Sequence, residues 1–159
     1  MILAKTRFKN VFWRRSESGT AAIEFGLSIP ILLVLLTGTV EVGRAMYGAM
    51  QVNNAVEAGM LYAAKNGYDP GGIAAAVVVA TATPGIAATP APTWFCGCPS
   101  AGGVINKTVC VPPPPPCADG NPAGQYVQIN AALDHQTILP YLGLPLPTTL
   151  KAQSIVRLH

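Results

Sequence analysis

Residues 14–40 of the chain are RRSESGTAAIEFGLSIPILLVLLTGTV, two arginines followed by a long apolar stretch. From residue 20 to residue 40 this stretch is long enough to cross the hydrocarbon core of a bilayer as an α-helix, which needs about 20 residues. Its one charged side chain is Glu24, near the start. A carboxylate costs about 2.5–3.5 kcal/mol at the bilayer centre and less towards the edge. The stretch therefore predicts a membrane helix in which Glu24 has a role that offsets this cost.

The composition narrows the class of protein. The 159 residues leave room for one modest domain beyond the membrane helix, and charged residues make up only 11%. The net charge of +3 is concentrated before Gly19, where Glu17 is the only acidic residue beside Lys5, Arg7, Lys9, Arg14 and Arg15. Next to a membrane span, such a basic segment sets the orientation by remaining in the cytoplasm. We therefore expect no nucleic-acid partner.

The basic head differs from an ordinary secretory signal, whose apolar core precedes its cleavage site. Here the small residues at Gly19 come before the apolar core, so a cut after Gly19 would leave the helix on the mature protein. This order is typical of a pilin-type leader. The alternative interpretation is an uncleaved signal anchor.

The residues from Gly19 to Phe25, GTAAIEF, resemble the processing site of type IV pilin-like proteins. The resemblance is closest to the TadE-like proteins, pseudopilins of the tight-adherence (Flp) pilus system. It covers about residues 14–64, with a weaker likeness in a C-terminal strand that carries Arg157. In that family a membrane peptidase cuts after the glycine and leaves a glutamate at the fifth mature position. The resemblance implies a cut between Gly19 and Thr20, with Glu24 and Phe25 serving assembly and axial register.

The same resemblance implies a function and a location. The expected function is that of a pseudopilin or minor pilin in pilus assembly, without catalysis and without a cofactor. The implied partners are the prepilin peptidase, other pilin and pseudopilin subunits, the assembly platform and the inner membrane. The N-terminus would be cytoplasmic and the C-terminal domain periplasmic. The alternative from another class is an uncleaved, membrane-anchored periplasmic domain that binds a ligand or partner.

The sequence predicts three segments: a leader at residues 1–19, a helix at residues 20–66 and a small domain at residues 67–159. Pro30 lacks an N–H and should bend or loosen the helix. Beyond residue 40 a helical face of apolar residues should cover a small sheet, with subunit packing as the alternative interpretation. That face is formed by Val42, Met46, Met50, Val56, Met60 and Ala64.

The expected fold class is α+β, a long N-terminal helix packed on a small antiparallel sheet. Gly67 should stop the first helix, and Asp69 and Pro70 should begin a short second helix that includes residues 73–82. Alternation predicts strands at residues 126–133 and, less clearly, 150–158. Residues 94–98 and 108–111 are short apolar segments typical of a loose hairpin.

Four cysteines, Cys96, Cys98, Cys110 and Cys117, follow the membrane helix. In an oxidising compartment they predict two disulfides, with a zinc site or a redox site as less favoured interpretations. An extended proline run at residues 112–116 would hold Cys110 and Cys117 roughly 20 Å apart, too far for a bond. Cys96 and Cys98 are too close in sequence to bond without strain. Each of them should therefore bond one of Cys110 and Cys117, in either of two arrangements.

Signals for an enzyme are weak. The only histidines are His135 and His159, and no nucleophile elbow, phosphate-binding loop or metal-ligand helix is present. His135 is expected to be a surface residue at the end of a strand. The sequence therefore predicts no catalytic site and no metal site.

Overall fold

The computed structural model describes residues 18–100, 102–138 and 147–158. Most of the predicted leader lies outside these residues, as does His159. The chain divides into two compact units between Gly38 and Thr39, and each is described by itself. The elements in chain order are α1 (Ser18–Asn66), α2 (Pro70–Val79), β1 (Thr93–Pro99), β2 (Ile105–Thr108), β3 (Gly124–Asp134) and β4 (Thr149–Arg157).

In the first unit, the described residues are all helical and belong to α1. Every side chain from residue 19 to residue 36 is exposed, although most of them are apolar. The hydroxyl of Ser28 donates to the carbonyl oxygen of Glu24, and that of Thr37 donates to the carbonyl oxygen of Leu33. These bonds satisfy the hydroxyl groups of Ser28 and Thr37 within the helix, as an apolar environment requires. This part of α1 is long and apolar enough for a single-pass membrane anchor.

The second unit contains a four-stranded sheet in the order β2-β1-β3-β4. All three pairings are antiparallel, and the longest joins β3 to β4 from Tyr126 opposite Arg157 to Asp134 opposite Thr149. The central strand β3 has consecutive buried residues from Ile129 to Ala131, so both of its faces are covered there, since a strand covered on one face alone would alternate between buried and exposed residues. The predicted α+β class with an antiparallel sheet is confirmed.

The part of α1 that belongs to this unit packs on the sheet through a face that agrees with the predicted one only in its outer half. Val56 is buried in the core and Met60 packs against it, whereas Val42, Met46 and Met50 are exposed. The buried residues of α1 follow a spacing of three and four, which is one helical stripe. They are Glu41, Ala45, Gly48, Val52, Ala55, Val56, Gly59 and Ala63. The prediction placed large side chains such as Met46 and Met50 against the sheet. A helix that lies close to a sheet instead needs small side chains on the facing side, such as Ala45 and Gly48.

Two glycines show how close this approach is. A methyl group added at Gly48 would lie 2.7 Å from Cδ1 of Leu150 on β4. One added at Gly59 would lie 2.8 Å from Cγ2 of Val77 on α2 and 3.1 Å from Cγ2 of Ile129 on β3. Real Cβ atoms essentially never come within 3.0 Å of a neighbouring atom, and 3.1 Å is tighter than most of their contacts. The two glycines therefore set the distance at which α1 meets α2 and the sheet.

The second helix begins as predicted and ends three residues earlier. Asp69 is its N-cap and accepts from the N–H of Gly71 at 3.1 Å, and Pro70 is the first helical residue. Gly67 follows the end of α1 with φ of 78°, the left-handed conformation that a helix-stopping glycine adopts. Ile73 and Val77 are completely buried against α1. Residues 80–82 lie outside the helix, and Val78 and Val79 before them are exposed.

The hairpin of β1 and β2 differs from the predicted hairpin in the position of its second strand. Cys96 pairs with Thr108 and Pro99 with Ile105, so β2 precedes the apolar segment expected to form it. Val109 and Val111 are exposed and follow β2. The predicted strands at residues 126–133 and 150–158 are confirmed as β3 and β4, with ends shifted by one or two residues.

Candidate functional site

The residues of the predicted processing and assembly site lie along the first turns of α1. Gly19 and Thr20 are helical and exposed, and an added Cβ at Gly19 would meet no atom within 4 Å. Glu24 is exposed one turn later, and its carboxylate has no bonded partner among the described residues. Phe25 is 66% exposed. These side chains are therefore available to groups outside the monomer, and their assembly roles remain predictions.

Pro30 lies within α1, which continues on both sides of it. The ring leaves the carbonyl oxygen of Gly26 without its helical N–H partner. An added Cβ at Gly26 would also meet no atom within 4 Å, so the backbone there is open. The bend at Pro30 remains a prediction.

A second set of polar groups, which we call the Glu41 cluster, consists of the side chains of Glu41, Arg44 and His135 and the backbone N–H of Ile138. Glu41 is 3% exposed although its side chain ends in a carboxyl group. Its Oε1 lies 3.2 Å from Nε2 of His135, and its Oε2 accepts from the backbone N–H of Ile138 at 2.9 Å. Nη1 of Arg44 is 3.9 Å from Oε2. The cluster ties α1 to the segment that follows β3.

The prediction that His135 is a surface residue is wrong. It is 8% exposed because it turns towards the carboxylate of Glu41 on α1. A sequence signal for this pair was present. Glu41 begins the stripe of buried small residues on α1, and a carboxylate on a buried face requires a donor. The large apolar side chains of Val42, Met46 and Met50 on another face gave a stronger helical pattern than the small residues of the buried stripe.

An open cleft of about 590 Å³ lies beside the Glu41 cluster. Arg44 and Tyr47 of α1, the Thr83–Pro84 turn and the end of β3 form its walls. Within the described ranges, no three His, Cys, Asp or Glu side chains come together in a way that could hold a metal ion. The polar groups that line the cleft are those of Arg44, Tyr47, Thr83, Asp134, His135 and Gln136.

The four cysteines form two disulfides at the end of the sheet that contains β2. Cys96 bonds Cys110 and Cys98 bonds Cys117, with Cα–Cα distances of 5.3 and 5.5 Å. The expected crossed pairing is confirmed, and the structure selects one of its two forms. The proline run that was expected to be extended contains a cis bond between Pro112 and Pro113.

Together, these features define a class of protein: an apolar, anchor-length helix that leads into a small α+β domain with two disulfides. Residues 19–61 match the model of the family of TadE-like proteins, which confirms the resemblance over that segment. This is a pilin-type structural family and not an enzyme family. The match begins at Gly19 and includes Glu24, Phe25 and Pro30. No curated protein and no solved structure matches the chain significantly.

Proposed function

We propose that the chain is a minor, pilin-like component of the assembly of tight-adherence (Flp) pili, processed by a prepilin peptidase between Gly19 and Thr20. The observation that carries this proposal is the family match at residues 19–61, in which an exposed glutamate follows Gly19 inside an apolar helix. Residues 1–19 would be a cytoplasmic leader. The domain from residue 67 onwards would lie in the periplasm, where its disulfides would be stable.

Processing would give Glu24 its partner. Cleavage creates an amine at Thr20, which is normally protonated near neutral pH. The amine and Glu24 are one helical turn apart, so the carboxylate can pair within the chain or with the amine of a neighbouring subunit. Pairing between subunits would offset the cost of a charge in the membrane and set the axial register of the assembly. The exposure of Glu24 in the monomer supports this role.

The domain supports a minor rather than a major role. In the tight-adherence pilus systems to which TadE-like proteins belong, the major pilin is usually little more than the helix. This chain adds a sheet, a second helix and two disulfides. Its partners would be other pilin and pseudopilin subunits and the assembly platform in the inner membrane.

Cleavage is tested by sequencing the N-terminus of the protein recovered from membranes. We expect Thr20 as the first residue in a strain with an active peptidase, and the full-length chain from Gly19→Val. Gly38→Val is the matched control, since Gly38 is also helical with no atom within 4 Å of an added Cβ. Recovery of Met1 from the unmodified chain would refute the proposal and favour the uncleaved anchor.

The role of Glu24 is tested separately by counting pili. Glu24→Gln should still be processed but should assemble poorly, because it removes the charge and keeps the size of the side chain. Glu57→Gln is the control, since Glu57 is an exposed carboxylate farther along α1. A normal number of pili in Glu24→Gln would show that the carboxylate is not needed.

A further inference from the structure

The strand β4 forms one edge of the sheet over its whole length. It has nine residues and pairs with β3 throughout, and no described strand lies on its other side. A strand edge presents a row of backbone N–H and C=O groups that can bond another extended chain. At nine residues β4 is longer than most strands, so the row is long. The edge of β4 that faces away from β3 can therefore bind a partner strand, which would extend the sheet.

Two bonds just beyond the ends of β4 show which backbone groups face outwards. The N–H of His135 donates to the carbonyl of Thr148, and the N–H of Leu158 donates to the carbonyl of Gln125. Residues of an antiparallel strand alternate in direction, so the even-numbered residues of β4 bond to β3. The backbone groups of Lys151, Gln153 and Ile155 must then point away from the sheet. None of them has a bonded partner within residues 18–100, 102–138 and 147–158.

The side chains of β4 divide between two faces. Leu150, Ala152 and Val156 face the core formed with α1, and Ser154 contacts Met60 of α1. The odd-numbered side chains lie on the opposite, exposed face. The charges on that face are Lys151 and Arg157, about 20 Å apart along the strand. Neither forms an ion pair with any described residue.

These observations point to a particular kind of partner. Charged side chains on an edge strand discourage indiscriminate strand pairing, whereas opposite charges on facing strands stabilise a pair and like charges destabilise it. A second copy of β4 would bring two more cations and no carboxylate. We propose that β4 receives an extended strand from another protein, which carries acidic side chains opposite Lys151 and Arg157. Backbone hydrogen bonds would hold the partner strand to β4, and Lys151 and Arg157 would select acidic strands over others. This inference is independent of processing at Gly19.

The experiment measures binding of synthetic peptides to the full chain in detergent micelles. The probe is a capped, fluorescent peptide as long as β4, made of valine and threonine, with two glutamates at the spacing of Lys151 and Arg157. The matched probe has lysines at those two positions. We expect the acidic peptide to bind about tenfold more tightly or better, with the difference shrinking as salt is added. Methylation of the peptide nitrogens that face β4 should abolish binding.

Variants of the chain locate the binding. Lys151→Glu with Arg157→Glu should reverse the preference between the two peptides, whereas Lys65→Glu on α1 should leave it unchanged. Gln153→Pro removes one outward N–H without removing a bond to β3, and it should weaken both peptides. Equal binding of the acidic and basic peptides, or full binding of the methylated peptide, would overturn the proposal. Self-association of the chain through β4, unaffected by the charge reversal, would instead identify a second copy as the occupant.

Discussion

At the scale of single residues, the buried carboxylate of Glu41 joins α1 to the segment that follows β3. It accepts from the ring of His135 and from the backbone N–H of Ile138. Glu41→Ala removes the acceptor of the buried His135 ring and of the part-buried N–H of Ile138, which costs about 1–3 kcal/mol in the free energy of unfolding. Urea unfolding of the full chain in detergent, followed by near-ultraviolet circular dichroism, measures this loss.

The control for Glu41 is another glutamate on the same helix. Glu57 is exposed, so Glu57→Ala should change the free energy of unfolding by less than about 0.5 kcal/mol. Glu41→Gln should fall between the two, since an amide oxygen can still accept from Ile138 but is a weaker acceptor than a carboxylate. Equal stabilities of Glu41→Ala and Glu57→Ala would show that the Glu41 cluster does not hold this segment in place.

Asp69 links the stability of α2 to pH. The pKa of its carboxyl is lowered below the usual value, chiefly because the backbone N–H of Gly72 donates to it and then because the hydroxyl of Tyr62 does. A carboxyl whose pKa is lowered on folding stabilises the fold above its unfolded pKa, about 3.9. This stabilisation is lost as the pH falls through the lower, folded pKa.

The test compares the chain with Asp69→Asn, which keeps an N-cap acceptor but does not titrate. Between pH 6 and about pH 3, the unmodified chain should lose more thermal stability than the variant. The difference should be small and should decrease with salt, because Asp69 is exposed. Parallel pH curves for the two proteins would contradict a role for this carboxylate in acid stability.

At the scale of elements, the close packing of α1 on α2 and β3 depends on Gly59. Gly59→Leu would place a side chain where an added Cβ already lies 2.8 Å from Cγ2 of Val77. The free energy of unfolding should therefore fall by about 1–3 kcal/mol or more. The matched substitution is Gly43→Leu, at an exposed helical glycine with no atom within 4 Å. It should be neutral or stabilising by up to about 1 kcal/mol, because leucine is the better helix former. Equal effects of the two substitutions on urea unfolding would refute this account of the packing.

The sequence predicts the elements better than it predicts how they pack. Local chemistry determines the C-terminal end of α1 and the start of α2, where Gly67, Asp69 and Pro70 act on their own neighbours. The face that α1 buries depends on how near the sheet comes, and a stripe of glycine and alanine gives no strong apolar signal. The burial of His135 depends on Glu41, which lies 94 residues away in the sequence. The position of Glu41 on the buried face shows that it needs a donor, but no local pattern shows that His135 is that donor.

At the scale of the whole second unit, two kinds of interaction stabilise different parts. The main apolar core combines α1, α2, β3 and β4 with Ile86, and none of its buried members lies within residues 93–123 of the described chain. That segment contains β1, β2 and all four cysteines. The disulfides close loops with sequence separations of 14 and 19, and loops of this length are each worth about 3 kcal/mol in the chain-entropy model. The disulfides therefore stabilise the segment that contains β1 and β2, whereas apolar burial stabilises α1, α2, β3 and β4.

Reduction should consequently loosen one part of the unit before the other. Hydrogen exchange of the full chain in detergent, with and without a phosphine reductant, should show faster exchange in residues 93–123 after reduction. Amides near Val52, Val56 and Ile129 should change much less, because their burial does not depend on the cysteines. A variant with serine at all four cysteines should exchange like the reduced chain and should not respond to the reductant. If exchange rose equally at Ile129, the disulfides would stabilise the whole unit cooperatively, and the division between a packed core and a cross-linked β1–β2 segment would be wrong.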